Sequence, residues 1–134
     1  MQDECVSMFK GDMIFDHLVL SVSNLNKSRE FYSAALLPLG IELIKEDDGC
    51  MGFGKNNKAS LWICSDKIIQ KPMHIAFIAN TRNSVDMFHK AALAAGGKDN
   101  GNPGIREQYH PNYYGAFIID PDGHNIEAVC RNAV

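Results

Sequence analysis

Residues 14–22 form an apolar, β-rich run in which Leu18, Leu20 and Val22 alternate with His17, Val19 and Ser21. Successive strand side chains point to opposite faces, so the first set is predicted to pack under a helix and the second to line a concave face. The period then changes. With Asn26 as N-cap, Phe31, Ala34, Ala35 and Leu36 recur at helical spacing until Pro38 and Gly40 end the run. Short strands are predicted over 41–45, 50–54 and 59–65, with a charged joint and then an Asn-Asn turn between them. After a linker at 66–72 the order recurs: a strand over 73–79, then a helix capped at Asn83 with Val85, Phe88, Ala91, Ala92 and Ala95 on one face. Gly96-Gly97 ends that helix, and a weakly patterned strand over 97–102 leads into a loop. Strands at 115–120 and 125–131 flank the turn D-P-D-G, whose proline and glycine positions suit type I.

The recurrence is a repeat. Shifting the sequence by 57 places His17 on His74, Phe31 on Phe88, Ala34-Ala35-Leu36 on Ala91-Ala92-Leu93 and Gly40 on Gly97. Two copies are too few for a solenoid and imply two equivalent modules around one shared site. The fold expected for residues 1–134 is α+β: two βαβββ modules, 14–65 and 73–131, forming a half-open barrel around one cleft.

In the last strand Asn125, Glu127 and Val129 share a face, with Ile126 and Ala128 on either side of the acid. His17, His74 and Glu127 can therefore converge in the concavity. The opposing reading makes each histidine a hydrogen-bonded core residue and gives Glu127 one of them as its partner. The loop before the strand at 115–120 carries Arg106, Tyr109, His110, Asn112, Tyr113 and Tyr114, which pair polar tips with ring surfaces, as ligand pockets need. Arg106, Tyr109, His110, Tyr113 and Tyr114 are thus candidate substrate-binding residues, and Arg106 hints at an anionic group on the ligand. His89 is expected at the surface, His124 exposed in its turn, and Asp12 and Asp16 solvated or capping.

The opening D-H-L-V-L-S-V-S-N-L-N-K-S-R-E-F-Y and the closing Y-Y-G-A-F-I-I-D-P-D-G-H-N-I-E-A-V resemble the vicinal oxygen chelate superfamily. That group includes glyoxalase I, bleomycin-resistance proteins, fosfomycin-resistance enzymes and extradiol dioxygenases. The resemblance spans most of residues 14–131 and implies metal ligands at His17, His74 and Glu127, with Glu127 also catalytic. It implies a divalent metal (Fe, Mn, Ni or Zn), a small-molecule substrate and a homodimer. Glyoxalase I-like sites take a fourth ligand from the last strand of the first module, where this chain offers Leu61 or Trp62. Two histidines and one carboxylate leave open positions that suit octahedral Fe(II) or Mn(II).

Composition narrows the classes. A formal charge of −3 with no basic run excludes the concentrated footprint of a nucleic-acid binder, and no apolar stretch reaches the ~18 residues of a membrane helix. Residues 1–12 read as a loosely held extension whose acids do not suit a secretory signal. Cys5, Cys50, Cys64 and Cys130 lack zinc spacing and read as reduced thiols of a cytoplasmic protein, with Cys64 and Cys130 in the core. Two function classes follow. One is a metal-dependent lyase, isomerase, dioxygenase or transferase acting on a small oxygen-rich substrate. The other is a metal-free binder of a small aromatic or drug-like molecule.

Overall fold

The computed structural model describes residues 15–134, so Asp12 and the extension at 1–12 lie outside the described residues. The first module contains β1 (Leu18–Val22), α1 (Leu25–Leu36), β2 (Glu42–Asp47), β3 (Cys50–Lys55) and β4 (Lys58–Ser65). A short 3-10 turn, Leu37–Leu39, extends α1 because Pro38 lacks the N–H needed to continue an α-helix. The second module contains β5 (His74–Ile78), α2 (Arg82–Ala94), β6 (Lys98–Ile105), β7 (Tyr114–Ile119) and β8 (Asn125–Cys130). Each module is one four-stranded sheet, ordered β1-β4-β3-β2 and β5-β8-β7-β6. The outer pair (β1 with β4, β5 with β8) is parallel and the others antiparallel. This is the expected α+β architecture.

Both helices start two residues earlier than the sequence pattern places them. Asn24, rather than Asn26, accepts the Lys27 N–H at 3.1 Å, and Thr81, rather than Asn83, accepts the Ser84 N–H at 3.0 Å. An extended residue immediately before the first turn is the one whose side chain can reach those amides. Asn26 instead accepts from the Arg29 guanidinium at 2.6 Å.

The repeat is read out in packing. α1 buries Ser28, Phe31, Tyr32, Ala35 and Leu36, and α2 buries Val85, Phe88, His89 and Ala92, so four of the five places recur shifted by 57, while Leu93, the partner of Leu36, is exposed. The two helices pack against each other and join the modules. A latch reinforces the joint: the Tyr32 hydroxyl donates to Asp120, and the Ser23 N–H donates to Asp122, both acceptors lying at the β7–β8 turn. Burial and the Asp120 charge push the Tyr32 phenol far above its ordinary range. Leu20, Val22, Ile63, Ile118 and Ile126 fill the core beneath the helices. Strand alternation thus turns His17, Val19, His74 and Ala76 to the open faces.

Three expectations need correction. Cys50 and Cys64 are joined by a disulfide and are not reduced thiols, since the antiparallel register places them directly opposite each other. His124 is fully buried rather than exposed: its Nδ1 accepts the Met73 N–H at 2.9 Å, tying the β7–β8 turn to the head of β5. His89 is also buried, and its Nε2 meets Asp99 at 2.8 Å, a bond that holds the Asp99 carboxyl below the ordinary range. Cys130 is a buried free thiol. No described helix is long and apolar enough to cross a membrane.

Candidate functional site

Chemistry collects on the open face of the second sheet. In the register of β5, β8 and β7, Ala76, Glu127 and Phe117 lie side by side on one face, with His74 two residues before Ala76. Glu127 is only 1% exposed. A buried carboxylate is costly unless hydrogen-bonded, and both of its oxygens are served. Oε1 lies 2.7 Å from His74 Nε2, and Oε2 accepts from the Tyr113 hydroxyl.

This arrangement orders the protons. A carboxylate accepts only, so the hydrogen between it and His74 sits on Nε2, and in the neutral ring Nδ1 is the unprotonated nitrogen. Among the described residues Nδ1 has no protein partner, and the His74 side chain is 54% exposed. Tyr113 is held on the other side. Burial first, and then the bond to Glu127, raise its phenol to about 12. Gly115 makes the contact possible: a Cβ there would stand 3.1 Å from Tyr113 Cε1 and 3.4 Å from Glu127 Oε2.

Above the pair is a hollow of about 300 Å³ lined by His74, Tyr109, Tyr113, Phe117, Glu127 and Arg131. A larger groove of about 570 Å³ lies between the helices and the D-P-D-G turn, near Lys27, Glu30, Lys98 and Asp120. Asp120 is already committed to Tyr32 and to backbone amides there. The smaller hollow is the better candidate because its titratable groups converge with apolar rings.

The candidate loop residues divide sharply. Tyr109 and Tyr113 line the hollow, with ring centroids 5.0 Å apart. Tyr114 is turned to the helix side, donating to Asp86 at 2.6 Å beneath the Arg82 guanidinium. His110 is a turn residue whose Nδ1 accepts the Asn112 N–H at 3.0 Å. Arg106 binds three carbonyls, of Gly104, Gly115 and Asn102, and lies over Phe117. Arg131, which sequence reasoning missed, supplies the cation at the hollow. Its parity with Glu127 and Val129 beyond the end of β8 was the available signal.

His17 and His74 are not brought together within one chain. His17 heads the first sheet, half-exposed, with Nδ1 2.7 Å from Asp16; that bond and Lys58 hold the Asp16 carboxyl below its ordinary range. Among the described residues no three His, Cys, Asp or Glu side chains are grouped to hold a metal ion. His74 and Glu127 are two donors of suitable type, so a single chain fits a metal only in part.

Comparison with known proteins agrees with the fold. A profile of the Glyoxalase/Bleomycin resistance protein/Dioxygenase superfamily matches residues 14–128, and the chain belongs to that superfamily. The crystal structure of a glyoxalase/bleomycin resistance protein from Albidiferax ferrireducens T118 is similar at TM-score 0.78 and 27% identity, over 88% of this chain and 99% of that one. A glyoxalase/bleomycin resistance protein/dioxygenase family enzyme from Burkholderia phytofirmans PsJN aligns at TM-score 0.68 and 15% identity, over 87% and 98%. Oxidase ChaP-H2 aligns at 0.65 and 22%, over 90% and 95%. The last two likenesses bear on fold alone. No curated protein matches the chain. Members of the superfamily often use divalent metals and act on small molecules.

Proposed function

We propose that this chain is an enzyme acting on a small oxygen-rich substrate in the hollow of the second module. His74 and Glu127 are the reactive pair. The observation that carries this reading is the buried carboxylate holding a half-exposed imidazole by Nε2 at 2.7 Å, with Nδ1 left to face a ligand. A histidine oriented by a carboxylate is suited to accept and return a proton. Tyr113 keeps the second carboxylate oxygen occupied, and its ring excludes water from one side.

With a divalent metal bound, His74 and Glu127 from one chain and His17 from a second copy would serve as its ligands in place of the proton-transfer role, which makes the functional unit a homodimer. Bound there, Fe, Mn, Ni or Zn would supply Lewis-acid stabilisation of charge on two neighbouring substrate oxygens. The open sheet faces support pairing of copies: Val19 beside His17 is 52% exposed and Ile78 beyond His74 is 76% exposed. Lyase, isomerase, dioxygenase and transferase outcomes share this chemistry. The cytoplasm remains the proposed location, with the Cys50–Cys64 disulfide an exception to the reduced thiols usual there.

The test combines light scattering, elemental analysis and subunit mixing. Wild type should be a dimer carrying stoichiometric metal, and His17→Ala and His74→Ala should each lose it. Mixing the two variants should restore about a quarter to a half of the metal content, because half of the mixed dimers' sites are intact when sites are shared. Metal retained by His74→Ala would sink the metal site. A metal-free protein that nevertheless binds aromatic ligands would favour the binder.

A further inference from the structure

We propose that the hollow selects a planar aromatic carboxylate and that Arg131 is the residue that sets this preference. The inference rests on reading the hollow as the ligand site, but on neither turnover nor metal.

Rings dominate the lining: Tyr109, Tyr113 and Phe117, with the His74 imidazole 6.0 Å from Phe117 between centroids. Aromatic walls favour a flat, polarisable body. The charges then decide which flat body. Glu127 is the acid of the hollow, buried and bonded on both oxygens. Arg131 is its cation, exposed, with the guanidinium 4.9 Å over the Tyr113 ring. That contact holds the guanidinium beside the ring while leaving its N–H donors available. Among the described residues no carboxylate or carbonyl accepts from Arg131.

Arg106 makes the contrast. It stacks similarly on Phe117 at 5.2 Å, but its donors are taken by the carbonyls of Gly104, Gly115 and Asn102. One arginine is therefore structural and the other is presented. A planar fork matches a carboxylate bidentately, and one unpaired cation in a hollow of about 300 Å³ suits a monoanion better than a phosphate dianion. Tyr113 stands between the two charges, touching Glu127 by its hydroxyl and Arg131 by its face. The ligand's anionic end is thus directed away from the buried acid, leaving its far edge toward His74.

Naphthoate and the neutral naphthamide, titrated by protein-observed NMR, form the probe pair. Wild type should bind the acid at least about tenfold more tightly, the scale of one charge-assisted pair. In Arg131→Gln the acid should fall to the affinity of the amide while the amide is unchanged, and Arg131→Lys should keep part of the preference. Lys27→Gln, a cation lost from the other groove, should behave as wild type. Equal binding of the two probes by wild type, a preference that survives in Arg131→Gln, or no binding of either at millimolar concentration overturns the proposal. His74→Ala keeps Arg131 and should keep the acid preference, so loss of metal or turnover there is read separately.

Discussion

The two modules share a scaffold and carry opposite chemistry on their open faces. Val19 and Ala76 are repeat partners, and the strand register places Trp62 beside the first and Glu127 beside the second. On the next strand Gly52 faces Trp62, and Phe117 faces Glu127. A Cβ at Gly52 would come within 2.9 Å of the Trp62 ring, so the tryptophan lies flat over a position that must be bare. The Cys50–Cys64 disulfide adjoins it. The centre of the first face is therefore covered by a ring and a crosslink, while His17 and Val19 at its edge stay exposed. In the second, moving the ring one strand over to Phe117 frees the central position for an acid, and the flanking His74 and Tyr113 make that acid tolerable. Duplication supplied two equivalent sheet faces, and the exchange of bulk between neighbouring strands determines which one can hold a reactive pair.

The largest expected effect belongs to the crosslinked module. The disulfide closes a loop with a sequence separation of 14, and a loop of that size is stabilised by about 3 kcal/mol through restriction of the unfolded chain. The Cys50→Ser/Cys64→Ser double variant should lose that much in denaturant unfolding, while naphthoate binding at the second module is unchanged. A double variant as stable as wild type would remove the crosslink from the comparison.

Next in size is Glu127→Ala, which leaves the Tyr113 hydroxyl without its acceptor and should cost about 2 kcal/mol. It should also abolish turnover. Its repeat counterpart Trp62→Ala should destabilise without touching ligand affinity. If Trp62→Ala weakens ligand binding as much as Glu127→Ala does, the functional hollow is not confined to one module.

Much of this division was legible in the residues, for physical reasons that can be named. Strand alternation placed Leu20 and Val22 inward and His17 and Val19 outward, and an acid set between Ile126 and Ala128 marked Glu127 as a buried polar group. Even the reading that gave Glu127 a histidine partner could be made from sequence. What could not be read are effects of long-range register. Cys50 and Cys64 meet only because β3 and β4 pair without offset at those residues. Arg106 reads as the ligand's cation because it opens the ring-rich loop, yet β6 runs on to Ile105 and folds the arginine back onto the carbonyls of Gly104, Gly115 and Asn102. His124 reads as a turn residue, while its ring closes the joint to β5.

A smaller effect sharpens the second module. Gly115→Ala places a methyl group 3.1 Å from the Tyr113 ring, tighter than ordinary contact, so Tyr113 must move by a few tenths of an ångström. The bond to Glu127 should loosen, at a cost of about 1 kcal/mol. The Tyr113 phenol, raised from 10.0 to about 12 by burial and then by Glu127, should ionise earlier. The sign follows from linkage: a raised folded-state value means stability fully present below about pH 10 and lost as pH climbs toward about 12. Ultraviolet tyrosinate titration of wild type and Gly115→Ala should show that step moving to lower pH in the variant. An unmoved step would mean Glu127 does not govern Tyr113.

The smallest effect separates two adjacent tyrosines. Tyr113 and Tyr114 carry the same side chain one residue apart, and strand alternation sends them to opposite faces. Tyr113 goes to the hollow. Tyr114 goes to the helix side, where its hydroxyl reaches Asp86 at 2.6 Å and Asp86, with burial second, raises its phenol. Tyr114→Phe removes one part-exposed hydrogen bond and keeps the ring under Arg82, so the loss should be about 0.5–1 kcal/mol. Ligand affinity and turnover should match wild type. Tyr113→Phe should instead lower turnover, since Glu127 loses a donor and with it the fixed charge that orients His74. Equal changes in ligand affinity from the two variants would mean that the hydroxyls act through loop order, and the assignment of the hollow to one face of β7 would fall.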